Sequence, residues 1–215
     1  MYKTILFDLD GTLTDSGLGI TNSASYALKK YGINVSDRKE LNRFVGPPLT
    51  ESFGRYYGIP SEKYPEILGY YREYYTDRGI FENEVYGGIP ELLEKLKRDG
   101  KRLIVATSKP EIFAVQILEH FGIAKYFDFI GGAEMNESRT KKDEVIRYAL
   151  DACRITELSD VVMVGDREYD IIGAKLIGLD SVGVLYGYGN RAELEKAGAT
   201  FIAESVGDIY NIVSG

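Results

Sequence analysis

From about residue 86 the chain repeats one motif, a helical stretch followed by a short apolar, β-prone run, and this rhythm leaves few folds open. Helices are expected over residues 90–99, stopped by Gly100, over 110–121, ended by Gly122, and over 142–152. Strands are expected over 103–106, 127–130 and 161–164, with two further apolar pieces at 181–185 and 200–203. The run Thr4-Ile5-Leu6-Phe7 reads as one more buried strand, ending at Asp8. Strands alternating with helices imply an α/β fold, a parallel sheet covered by helices on both faces, with ligands bound beyond the carboxyl ends of the strands.

Residues 16–83 break the rhythm. Ile20, Ala24, Ala27, Leu28 and Tyr31 fall on one helical face, closed by Gly32 as a left-handed cap, and helical signals continue to about Phe81 without a convincing strand. The expected organisation is an α/β core of residues 1–15 and 84–215, interrupted after its first strand by an all-helical domain of residues 16–83. Tyr56, Tyr57, Tyr64, Tyr70, Tyr71, Tyr74 and Tyr75 lie in that domain, and their helical spacing favours packing over base stacking.

Of the 215 residues 44% are apolar and 27% charged, with the two signs interspersed, as in a folded globular chain. The net charge of −7 offers no basic footprint for nucleic acid or an anionic membrane, so neither is an expected partner. The single Cys153 cannot close an intramolecular disulfide, and the first apolar run is cut by Asp8 and Asp10, far short of a signal-peptide core or a membrane span. A reducing, cytoplasmic setting is expected, with monomer and homodimer both open.

On an extended strand residues two apart point the same way, so Asp8 and Asp10 face one pocket while Leu9 turns to the core. Phosphate monoester hydrolysis is very slow uncatalysed and gains from a nucleophile that splits the step and an acid that protonates the leaving oxygen. After the second core strand comes Ala106-Thr107-Ser108-Lys109-Pro110, where a hydroxyl and free amides at a helix start suit a phosphate oxygen, although Thr107 alone reads equally as an ordinary helix cap. The strand at 161–164 runs into Gly165-Asp166-Arg167-Glu168-Tyr169-Asp170, delivering two more carboxylates to the same crevice. Such a group is costly without cations, and a lysine plus a divalent metal would neutralise it. Magnesium takes oxygen ligands, and Asp8, Asp166 and the backbone carbonyl of Asp10 would form its set, with Asp170 just outside.

The runs FDLDGTLTDS, ATSKP, a lysine before EVIRYAL, and VGDREYD together resemble the four ordered motifs of the haloacid dehalogenase superfamily, over residues 1–189. The resemblance implies a core with a parallel sheet flanked by helices, a helical cap inserted after the first strand, and a magnesium-dependent phosphatase acting on a small phosphorylated metabolite, of the phosphoglycolate phosphatase or 5'-nucleotidase type. It makes Asp8 the nucleophile that forms an aspartyl-phosphate and Asp10 the general acid and base. Thr107, Ser108 and a lysine would bind the phosphoryl group, Asp8, Asp10 and Asp166 the metal, and Asp170 would orient the surroundings. The lysine corresponds best to Lys142, with Lys141 the alternative, and the acidic stretch 131–137 departs from the family pattern. Phe44-Val45-Gly46-Pro47-Pro48-Leu49 resembles a cap loop, which nominates Arg43 and Gly46 for contact with the leaving group, and reads equally as a plain turn between helices.

Other readings fit less well. A β-phosphoglucomutase-like transferase would place a histidine between residues 17 and 22, and none stands there. A phospho-aspartate receiver, a binding switch, would carry its acceptor on the third strand, where no lone Asp follows residue 130. His120, in a last helical turn, is explained by the helix dipole, and Cys153 lacks the Cys-loop-Arg spacing of cysteine phosphatases.

Overall fold

A computed structural model of the protein describes residues 1–136 and 138–215, leaving Glu137 of the acidic stretch outside. In chain order the elements are β1 (Thr4–Phe7), β2 (Thr14–Asp15), α1 (Gly17–Lys30), α2 (Leu49–Tyr57), α3 (Tyr64–Tyr74) and β3 (Glu84–Val85). There follow α4 (Ile89–Arg98), β4 (Arg102–Pro110), α5 (Glu111–His120), β5 (Phe129–Ala133), α6 (Lys142–Ala152), β6 (Val161–Gly165), α7 (Glu168–Ile177), β7 (Asp180–Val184), α8 (Arg191–Ala197), β8 (Phe201–Ala203) and α9 (Val206–Ser214). The chain divides into two compact units, Met1–Thr14 with Val85–Gly215, and Asp15–Glu84.

The larger unit carries a six-stranded sheet in the order β5-β4-β1-β6-β7-β8, parallel throughout. Side chains alternate between its faces. Leu6, Ile104 and Met163 point to one face, where they pack with Val145, Ile146 and Ala149 of α6 and Ala174 of α7. Helices α4 and α5 pack against β4 as well, and α9 lies on α4. Burying a side chain such as Leu6, fully enclosed here, is worth about 1.5–3 kcal/mol. Register positions the site: Phe7 stands opposite Val105 on one side and Val164 on the other. Asp8, Thr107 and Asp166, one or two residues further on, therefore leave the sheet at the same carboxyl rim.

Two strands run past their expected ends. β4 continues to Pro110 through a register irregularity between Ala106 and Pro110, and β5 starts two residues late and ends at Ala133. The proline sits where the ladder shifts, a place that needs no regular amide donor. Gly131 and Gly132 look like strand breakers in the sequence, but Gly132 is there because β5 passes tightly: a Cβ on it would lie 2.6 Å from the Lys109 carbonyl oxygen and 2.7 Å from the Glu111 backbone. Gly132→Ala is expected to cost roughly 1–3 kcal/mol in urea unfolding, as overpacking against backbone does. An unchanged midpoint would mean that β5 has room to move.

The smaller unit is helical, with 3₁₀ turns at Arg38–Phe44 and Ser61–Lys63 between the helices and a π-helical turn at Tyr75–Gly79 after α3. Gly32 follows α1 with φ of 90°, the left-handed position a glycine takes at lowest cost. Gly19 allows α1 to touch the chain after α3, since a Cβ there would meet the Gly79 carbonyl oxygen. None of the seven tyrosines of the sequence pattern is fully exposed, and Tyr71 and Tyr75 stack with ring centroids 5.4 Å apart.

Candidate active site

The site grows from the end of the central strand β1. The Asp8 amide donates to the Val164 carbonyl at 2.9 Å, and the chain then turns at once, the Leu9 carbonyl accepting from the amides of Thr12, Leu13 and Thr14. Gly11, at φ of 82°, makes that turn possible. Asp8 and Asp10 are both held nearly buried at the rim.

Two lysines meet them. Lys142 is the first residue of α6, and its Nζ lies 2.8 Å from Asp8 Oδ1, 2.7 Å from Asp170 Oδ1 and 3.2 Å from the Ala106 carbonyl. Gly173 of α7 gives it space, because a Cβ there would fall 2.8 Å from the Lys142 Cβ. Lys141, by contrast, is exposed at the helix start. Lys109, just before Pro110, places its Nζ 2.8 Å from Asp10 Oδ2 while almost wholly buried. Thr107 is buried, with its Oγ1 accepting from the Lys109 amide at 3.3 Å, and Ser108 is half-buried beside it.

The third strand of the rim, β6, ends in Gly165 and leads to Asp166 and Asp170. Asp170 caps α7, accepting from the Arg167 amide at 3.1 Å with the oxygen that does not face Lys142. Gly165 is required next to it, since a Cβ would come 2.2 Å from the Asp170 Cγ. Asp166 is fully buried; its Oδ2 accepts the Tyr188 amide at 2.8 Å, and its Oδ1 has no hydrogen-bond partner among the described residues. Carboxylate oxygens of Asp8, Asp166 and Asp170 come within 4.8 Å of one another.

Electrostatics follow from this crowding. Burial, opposed by Lys142 and reinforced by Asp170, pushes the Asp8 carboxyl up to about 6. Burial and the charges of Asp170 and Asp8 hold the Asp166 carboxyl well above the usual carboxylate range. Burial works against the Lys142 ammonium, but Asp170 and Asp8 outweigh it and raise its pKa. Among the described residues Lys142 pairs with Asp8 and Asp170, Lys109 pairs with Asp10, and the Arg167 charge acts on Asp166, whose orphaned oxygen sits in an all-oxygen donor set of the kind hard divalent cations take. The cluster can bind such a cation.

Asp8, Asp166, Asp170 and Lys142 are thus brought together, with Asp10 and Thr107 at the same rim. Arg43 and Gly46 lie in the Asp15–Glu84 unit: Arg43 stacks its guanidinium 4.3 Å over the Tyr56 ring and stands 3.8 Å from Glu40, and Gly46 adopts φ of 101°. Lys109, Gly187 and Tyr188 were not singled out by the sequence pattern. For Lys109 the signal was its position near the end of β4, two residues past Thr107.

The chain is similar to known proteins over most of its length. A family model described as haloacid dehalogenase-like hydrolase matches residues 5–184. A 5'-nucleotidase of Pseudomonas aeruginosa is 45% identical over 193 residues, 90% of this chain and 87% of its own. Tyrosine-protein kinase PtkA of Mycobacterium tuberculosis is 41% identical over 204 residues, 94% of this chain and 69% of its own. The crystal structure of a predicted phosphatase from Clostridium acetobutylicum superposes with a TM-score of 0.97 at 49% identity, covering 100% of this chain and 99% of that one. With the model spanning β1 to β7 and so including every carboxylate of the rim, the chain belongs to the haloacid dehalogenase-like hydrolase family.

Proposed function

We infer that the protein is a phosphatase, a magnesium-dependent phosphomonoester hydrolase that works through an aspartyl-phosphate on Asp8. The observation that carries this is a buried nucleophile-sized carboxylate, Asp8, tied to a single buried ammonium, Lys142, beside an orphaned carboxylate oxygen of Asp166. Asp8 attacks phosphorus, forming the Asp8 O–P bond as the ester P–O bond breaks, and Asp10 gives its proton to the departing oxygen. Asp10 then takes a proton from a water that attacks the phosphoenzyme, releasing inorganic phosphate and restoring Asp8. Lys142 offsets charge on Asp8 and on the transferring group, and the Thr107 hydroxyl and Ser108 hold a phosphoryl oxygen. Asp8, the Asp10 carbonyl and Asp166 would hold the metal, with Asp170 orienting Lys142. When bound, magnesium neutralises the carboxylates and the phosphoryl oxygens.

A nucleoside monophosphate is the favoured substrate class, because the relative named 5'-nucleotidase matches nearly the whole chain; phosphoglycolate is the next ester to test. The helical unit serves as the cap that reads the leaving group, with Arg43 and Gly46 in that role. The kinase name of the mycobacterial relative supports one competing reading, transfer to a hydroxyl acceptor. Phosphate release from a panel of nucleoside monophosphates and phosphoglycolate, with magnesium or chelator, decides between them. Metal-dependent release without an added acceptor supports the hydrolase; turnover only with a hydroxyl acceptor overturns it. Asp10→Asn is expected to lower kcat by roughly 10²–10⁴-fold on natural esters. The loss should be smaller on 4-nitrophenyl phosphate, whose leaving group needs no proton. An equal loss on both would remove Asp10 from the acid role.

A further inference from the structure

One loop outside the motifs controls how Asp166 presents itself. Residues 186–189, after β7, lie against Asp166: a Cβ on Gly187 would fall 2.4 Å from the Asp166 Cβ, 2.6 Å from its Oδ2 and 2.3 Å from the Gly11 carbonyl oxygen. A Cβ on Gly189 would fall 2.0 Å from the Asp166 carbonyl oxygen. A Cβ on Gly11 would come 2.2 Å from the same Oδ2. Oδ2 is thus crowded by two glycine backbones and takes the Tyr188 amide at 2.8 Å, while Oδ1 has no hydrogen-bond partner among the described residues. The loop is itself anchored, for the half-buried Tyr186 donates its hydroxyl to the Thr12 carbonyl at 2.9 Å and its ring meets Tyr86 edge-on at 4.9 Å.

We propose that the Gly187–Gly189 loop is a positioning element for cation binding, which limits Asp166 to one ligating oxygen and thereby selects magnesium over calcium. This rests on the reading of Asp166 as a metal ligand. Magnesium takes single carboxylate oxygens in a tight octahedron, whereas calcium is larger and accepts both oxygens of a carboxylate. An Asp166 whose Oδ2 is capped by an amide and walled by glycines offers only the first mode. Groups that orient a ligand in this way typically contribute 10–100-fold to affinity.

Calorimetric titration of the whole protein with magnesium chloride and with calcium chloride tests this in the wild type, Gly187→Ala, Tyr186→Phe and Asp166→Asn. Gly187→Ala is expected to weaken magnesium binding roughly 10–100-fold and calcium binding less, so that the preference narrows. Tyr186→Phe keeps the ring but loosens the anchor, and moves both quantities the same way by a smaller factor; it decides the matter if Gly187→Ala does not fold. Wild-type affinity and preference in both loop variants, with binding lost in Asp166→Asn, overturns the loop's role alone. Wild-type magnesium binding by Asp166→Asn overturns the metal reading itself, and the loop's role with it.

Discussion

Asp8→Asn is expected to reduce phosphate release by about 10⁴-fold or more, with kcat rather than KM carrying the loss. The substitution keeps the side chain's shape, and Lys142 keeps Asp170 as its counter-charge at 2.7 Å, so the fold has no reason to fail. What disappears is the oxygen proposed to bond to phosphorus. Acid-quenched wild-type protein mixed with substrate and magnesium should show a phosphate adduct by mass spectrometry, and the variant none. Turnover within about tenfold of wild type would make Asp8 a bystander and remove the covalent intermediate from the mechanism.

The second large effect concerns stability. Asp8 and Asp166 both hold protons more tightly in the folded state than an ordinary carboxyl does. At these two sites the folded chain therefore binds more protons than the unfolded one, and without metal their contribution to stability falls as pH rises from about 4 through the folded values, about 6 for Asp8. A cation that takes the ionised carboxylates restores what ionisation cost. Magnesium should raise Tm more at about pH 7.5 than at about pH 5. Asp166→Asn removes a buried charge whose Oδ1 has no partner. The metal-free variant is expected to gain roughly 1–3 kcal/mol near neutral pH, at about 2–4 °C of Tm per kcal/mol, and to lose the magnesium-dependent increase. Differential scanning fluorimetry with magnesium or chelator reads both. A metal-free Asp166→Asn less stable than wild type at neutral pH would mean that Asp166 is compensated by contacts other than a cation.

The parts of the fold legible in the sequence were those written in apolar runs and glycine stops, such as the Val161–Gly165 strand and the helix that begins at Lys142. Asp8, Asp166 and Asp170 were legible because carboxylates following apolar strands have no cheap alternative explanation. Lys109 was not: a lone lysine ordinarily reads as a solvated charge, and only the approach of β4 to the Asp8–Asp10 turn gives it a buried partner. Gly187 and Gly189 were hidden for a different reason. A glycine kept for a close tertiary approach looks in sequence like any turn glycine. The extension of β5 through Gly131 and Gly132 was missed on the same ground, and α7, α8 and α9 are short helices with few buried apolar positions to announce them.

The placement of β1 has a consequence for how the protein is made. Thr4–Phe7 is synthesised before its hydrogen-bonding neighbours, which are Arg102 to Val105 and Val161 to Val164. During translation this apolar strand waits, with both edges unpaired, while most of the chain is made, and such waiting strands are where chaperones and misfolding compete. Asp8 therefore leaves the ribosome before Lys142 and Asp166, and gains them only when the sheet closes. Phosphate release is accordingly expected to appear only with the final closure of the sheet, so that the enzyme's own activity reports the last step of its folding.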